Sequence, residues 1–131
     1  MPRKRVIHPP DMYPTAGYAR AVQVGDTLYI SGHIPKNDRN EIVAIGDVER
    51  QADQVFQNIG RVLAAAGSTF DDLVKMNIYA LSPDYRLPIL AVRDRYVTRE
   101  TYASTYIVPQ ALAAPELLLE IEAIAVVGSG S

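Results

Sequence analysis

The plainest two-residue alternation in the chain is LLLEIEAIAVV, residues 117–127. Leu117, Leu119, Ile121, Ala123, Ala125 and Val127 fall on one face of the strand it predicts, and that face builds a core. Leu118, Glu120, Glu122, Ile124 and Val126 fall on the other. This second face is mostly apolar and still carries two carboxylates. Each must be paired, hydrogen-bonded or raised in pKa, because an ionised group buried alone costs several kcal/mol.

The rest of the pattern is compatible with one sheet and two helices. Residues 18–24 and 27–33 predict a hairpin, with Gly25-Asp26 suited to a type II′ turn. A polar loop, GHIPKNDRN, follows, and then a short strand around residues 41–44. Val48, Ala52, Val55, Phe56, Ile59, Val62, Leu63 and Ala66 recur at three- and four-residue steps and predict a helix over 48–66. Asp47 suits its N-cap, Glu49 its first turn and Gly67 its C-terminal end. Residues 73–81 predict a strand with Val74, Met76, Ile78 and Ala80 on one face. Pro88 suits the start of a second helix running to about residue 98, and a further strand is expected near 104–108. The order β-β-(β)-α-β-α-β-β describes an α+β domain over residues 1–127, with both helices on one face of a mixed sheet. No third helix is predicted, so the expected cover for the other face, with Glu120 and Glu122 on it, is another subunit.

Composition narrows the function classes. A chain of 131 residues fits one domain, and 48% apolar with 21% charged residues is an ordinary globular balance. A formal net charge of −2 gives no electrostatic reason to expect nucleic acid or an anionic membrane as the partner. The lack of cysteine excludes disulfides and thiol chemistry and fits a cytoplasmic setting. No apolar run reaches the ~18 residues of a membrane span. MPRKRVIHPP lacks the apolar stretch of a signal peptide, and Arg3-Lys4-Arg5 is expected to be a solvated terminus rather than a targeting patch. Gly128-Ser129-Gly130-Ser131 resembles an engineered linker and is expected to be a flexible tail.

His8 and His33 have no ligand spacing between them, so no metal site is expected, and no glycine-rich phosphate loop is present. Ser31 has no base placed beside it by any motif. Residues 87–92, LPILAV, leave two readings open. They are a deeply buried helix start, or an exposed apolar patch for a further protein partner.

GDTLYISGHIP, QADQVFQNIGRVLAAAGSTFDDLVKMNIY and LLLEIEAIAV, in that order, resemble the reactive-intermediate deaminase family, RidA/YjgF, over roughly residues 16–127. The resemblance implies a chorismate-mutase-like fold and a homotrimer whose sheets form a central barrel, with a small-molecule cleft between subunits. It implies hydrolysis of imines and enamines, such as those formed from 2-aminoacrylate, to a 2-keto acid and ammonia, with no metal or organic cofactor. The water-positioning glutamate of that family falls on Glu120, its tyrosine on Tyr18, and its SG-x-IP motif on Ser31 and Gly32. The arginine that clamps the substrate carboxylate falls on Ser104, or on Thr105 with a one-residue slip. A hydroxyl cannot neutralise a carboxylate, and losing a charged partner removes roughly 1.5–3 kcal/mol of binding. Arg93, Arg95 or Arg99 would replace the clamp if one turned into the cleft. Three readings follow. The first is a trimer that keeps the cleft without being an archetypal 2-imino acid deaminase. The second is a working imine or enamine hydrolase with another clamp, and the third is a structural trimer within a larger assembly. For Glu122 a structural role is expected.

Overall fold

The computed structural model describes residues 3–131. Its elements are β1 (Lys4–Ile7), β2 (Ala21–Val24), β3 (Thr27–His33), α1 (Val48–Ala65), β4 (Leu73–Ala80), α2 (Arg86–Tyr96), β5 (Ala103–Ile107) and β6 (Leu119–Val126). The six strands form one sheet in the order β1-β2-β3-β6-β4-β5. β4 and β5 run parallel, and every other pair is antiparallel. Both helices cover one face, which makes the architecture α+β with a mixed sheet. The core lies between them, with Phe56, Leu63, Leu28, Ile78, Leu119 and Ile121 each 0% exposed.

α1 forms as its sequence directs. The Asp47 side chain accepts a hydrogen bond from the amide of Arg50 (3.1 Å), and Gly67 follows the helix with φ +72°. Two polar residues on its inner face are fully engaged with loops. The Gln51 side chain donates to the carbonyl of Glu116 (2.9 Å) and accepts from the amide of Leu118 (2.9 Å). The Asn58 side chain donates to the carbonyl of Lys36 (2.9 Å). These bonds hold the approach to β6 and the loop after β3 against the helix, so the glutamine and asparagine of the helical motif act structurally.

Several boundaries differ from expectation. The basic N-terminal segment is not a tail: residues 4–7 form an edge strand paired with β2, and Arg5 Nη2 donates to Gln23 Oε1 (3.0 Å). Its charges are nonetheless solvated, with Lys4 and Arg5 exposed; Met1 and Pro2 lie outside the described residues. β2 begins at Ala21, later than the sequence pattern places it, because Gly17 takes φ +83° and leaves Tyr18 in a loop. The strand expected at 41–44 is reduced to a single bridge between Lys36 and Ile42. In β4 the register shifts between Leu73 and Lys75, so Leu73 is buried and Val74, expected inside, is 37% exposed. α2 starts two residues before Pro88, whose missing N–H is harmless in a first turn that has no intrahelical acceptor there. Within the apolar run 87–92, Ile89 and Val92 are buried and Leu87 is 72% exposed.

Residues 128–131 carry defined hydrogen bonds. The amides of Gly128 (3.0 Å) and Gly130 (2.8 Å) both donate to the buried carboxylate of Asp72, and Arg99 donates to the carbonyl of Gly130 (2.6 Å).

Candidate functional site

The face of the sheet turned away from the helices carries the candidate chemistry. β3 pairs with β6 in register as far as Ile30↔Ala123, and pairing resumes at His33↔Ile121. Three residues of β3 thus span two of β6, and Ser31-Gly32 forms a bulge. The Ser31 amide donates to the carbonyl of Arg20 (2.8 Å) and its hydroxyl to the carbonyl of Ala19 (2.7 Å), which ties the bulge to the start of β2. Glu120 reaches across from β6 and lays its carboxylate over Gly32. A Cβ at Gly32 would lie 2.9 Å from Glu120 Cδ and 3.1 Å from Cγ, with Oε2 nearer still. Glycine at this position is therefore a steric requirement for where the carboxylate rests.

The two glutamates of β6 differ in their partners. β4 places Asn77 opposite Glu122 and Tyr79 opposite Glu120. Glu122 Oε1 accepts from Asn77 Nδ2 (3.0 Å) and from the Tyr79 hydroxyl (2.6 Å). That hydrogen bond is the leading cause of a raised Tyr79 pKa, with burial next. Glu120 is half-buried and makes no such bond among the described residues. Burial first, and the neighbouring Glu122 charge second, push its carboxyl above the usual carboxylate range. Glu122 is thus an anchored carboxylate, and Glu120 is one whose oxygens remain available to solvent or substrate.

The other sequence-identified residues spread out around this centre. Ser31 and Gly32 adjoin Glu120 through the bulge. Tyr18 lies in the loop before β2, 58% exposed, beside a separate hollow lined by Val6, His8, Pro14, Thr15 and Arg20. Ser104 pairs with Met76 on the helix side of the sheet, whereas Thr105 pairs with Asn77 on the side of the two glutamates. The alternation of β5 therefore separates the two positions proposed for the missing arginine. Arg93 and Arg95 lie in α2 and Arg99 follows it, on the helix side. Arg93 pairs with Asp94 (2.7 Å) and Arg99 with Asp71 (3.9 Å).

A cation that no sequence motif singles out does stand on the open face. Lys75 Nζ donates to Thr105 Oγ1 (3.3 Å), and Lys75 lines a hollow of about 320 Å³ with Val22, Tyr29, Ser31, Asn77 and Glu122. Lys75 lies opposite Ile124, four residues along β6 from Glu120 or roughly 13 Å at the rise of an antiparallel strand. It also leans toward β5, while Glu120 leans toward β3. A three-carbon acid held at Glu120 does not span that gap, so within one chain Lys75 is no substitute for the arginine.

Comparison with known proteins identifies the relationship. The family model described as endoribonuclease L-PSP matches residues 9–127. The chain is 33% identical over 132 residues to the 2-iminobutanoate/2-iminopropanoate deaminase of Dermatophagoides farinae, covering 97% of this chain and 99% of that protein. It is 30% identical over 126 residues to the 3-aminoacrylate deaminase RutC of Acinetobacter baylyi, covering 95% and 98%. Among solved structures, a putative endoribonuclease of Thermotoga maritima superposes with a TM-score of 0.86 at 31% identity, covering 93% of this chain and 96% of that one. RidA from an Antarctic Psychrobacter superposes with a TM-score of 0.84 at 28% identity, covering 94% and 99%. The chain belongs to the RidA/YjgF family, and its fold is the RidA-like α+β fold.

Proposed function

We propose that this protein is a hydrolase of small imines or enamines in which Glu120 positions and deprotonates the attacking water. The carrying observation is the state of that carboxylate: half-buried, raised in pKa and resting on a glycine bulge, while its neighbour Glu122 is engaged by Asn77 and Tyr79. A carboxylate with a raised pKa is the stronger base and can return the proton to the leaving amine. Water adds to the C=N carbon as Glu120 takes its proton. Glu120 returns that proton to nitrogen to give the carbinolamine, whose hydroxyl proton then passes to nitrogen as the C–N bond breaks, releasing ammonia and a carbonyl product. Two relatives of nearly the same length are named as deaminases of a 2-imino acid and of 3-aminoacrylate, which supports this class. RNA cleavage, suggested by the family model's description, fits less well. Glu120 and Glu122 on the same face repel phosphates, and Lys75 lies far from Glu120.

The substrate's carboxylate is the point of divergence. Ser104 and Thr105, the two candidates for the family's arginine position, both carry only a hydroxyl, and Thr105 is the one on the side of the glutamates, so the cleft is not that of an archetypal 2-imino acid deaminase. Recognition rests on neutral donors or on a neighbouring copy. We further propose a homotrimer, in which a neighbour covers the open face and completes the cleft, working in the cytoplasm. The half-exposed Tyr29 on that face supports the assembly.

The test is ammonia release from 2-iminopropanoate generated in situ by an amino-acid oxidase. Acceleration by the unmodified protein that Glu120→Ala abolishes supports the hydrolase. Gain of activity in Ser104→Arg or Thr105→Arg identifies the clamp as the missing part. Inert protein with all of these variants also inert refutes the reading.

A further inference from the structure

The bulge that bears the Glu120 carboxylate on its open side is held from the buried side by one imidazole. Unbroken alternation after Ile30 would turn residue 33 toward the open face. The extra residue instead turns His33 to the helix side, where it is 3% exposed and pairs with buried Ile121. There Nδ1–H donates to the carbonyl of Ser31 (2.7 Å), closing a short loop around Gly32. The other ring nitrogen, Nε2, is buried and meets no hydrogen-bond partner among the described residues, and the same holds for Nε of Arg20. The Ser31 carbonyl is therefore the polar anchor of the ring, and that bond assigns the proton to Nδ1. Burial chiefly, with the Arg20 charge adding to it, outweighs the Ser31 bond and lowers the His33 pKa to about 4. The ring is neutral above that value and donates without a change of charge. Arg20 is the charged group that bears on it, while Glu120 and Glu122 lie across the sheet.

We propose that His33 is a positioning residue for Glu120: its bond to the Ser31 carbonyl fixes the Ser31–Gly32 peptide against which the Glu120 carboxylate packs. The catalytic meaning rests on the hydrolase reading, but the geometric claim does not. If the bond is lost, the bulge relaxes, the half-buried carboxylate becomes more exposed to water, and its pKa falls toward the ordinary range.

The experiment follows the Glu120 carboxyl titration by ¹³C NMR in wild type, His33→Gln and His33→Met. Methionine fills much of the volume without a donor, and the glutamine amide can still reach the Ser31 carbonyl. The expected result is a midpoint lowered by roughly half a pH unit or more in His33→Met and retained in His33→Gln. An unchanged midpoint in a folded His33→Met variant overturns the proposal. Should that variant not fold, ¹⁵N spectra of wild-type His33 decide: the Nδ1–H tautomer is expected, and the Nε2–H tautomer overturns the proposal. In the ammonia assay His33→Met should lose roughly tenfold or more in kcat with KM little changed, and His33→Gln should restore it. A shifted midpoint in a protein that never releases ammonia would refute the hydrolase reading and leave the positioning role standing.

Discussion

A methyl group added at Gly32 should separate activity from stability. The new Cβ would stand 2.9 Å from Glu120 Cδ and 3.1 Å from Cγ, inside the 3.4 Å of ordinary contact. Gly32 does not take a positive φ, so alanine adds a steric contact and no backbone penalty. The obstacle is the far end of a half-exposed side chain, which can swing outward by roughly 1 Å. That keeps the stability loss near the low end for overpacking, about 1 kcal/mol. Catalysis is less forgiving, since a reacting group misplaced by about 1 Å costs on the order of 10²-fold in rate. The assay is kcat for ammonia release at saturating imine, with urea unfolding of the same preparations. In a Glu120→Ala background the methyl has room, and the stability loss from Gly32→Ala should vanish, giving a measurable coupling between the two sites. A Gly32→Ala variant with wild-type kcat would refute the assignment of Glu120. A stability loss that persists without Glu120 would refute the steric argument.

Three further outcomes follow from the same geometry. Glu120→Gln should raise Tm at pH 7. The folded pKa lies above the unfolded one, so the wild type loses stability as pH rises from the unfolded toward the folded value, and the difference from the variant should close on acidification. Tyr79→Phe removes the 2.6 Å bond to Glu122 and should cost about 1 kcal/mol in urea unfolding; a large loss of kcat instead would contradict the structural role of Glu122. For Asp72, burial pushes the carboxyl up, but bonds from Ser68, Gly128, Gly130 and Thr69 outweigh it and hold the pKa below its ordinary value. Its contribution is therefore present above the unfolded value and lost as pH falls through the folded one. Asp72→Asn should cost about 1–2 kcal/mol at pH 7 and flatten the acid limb of a Tm-against-pH plot; an unaltered acid limb would refute the tail-holding role.

What the residue pattern reveals, and what it hides, has a common physical cause. β6 and α1 are legible because each buries one face continuously, so their periods of 2 and 3.6 survive in the sequence. β1 leaves no such trace: only Ile7 of its four residues is buried, and a strand at the sheet edge needs little more. Bulges defeat the reading differently, because one inserted residue shifts the phase of everything after it. Val74 moves outward and Leu73 inward on that account, and His33, an apparent loop residue, becomes the buried support of the bulge. The site suffers most from this loss. Alternation places Glu120 and Glu122 on one face but cannot tell which is engaged, since their neighbours arrive on β4 from more than forty residues away. The choice between Ser104 and Thr105 likewise depends on the β4–β5 register, and that of Glu120 on a glycine in β3. Residue identities at the site are thus local information, while their division into anchored and available groups is created by strand pairing. A substitution that shifts register by one residue should therefore abolish the distinction between the two glutamates while leaving every residue of the family motifs in place.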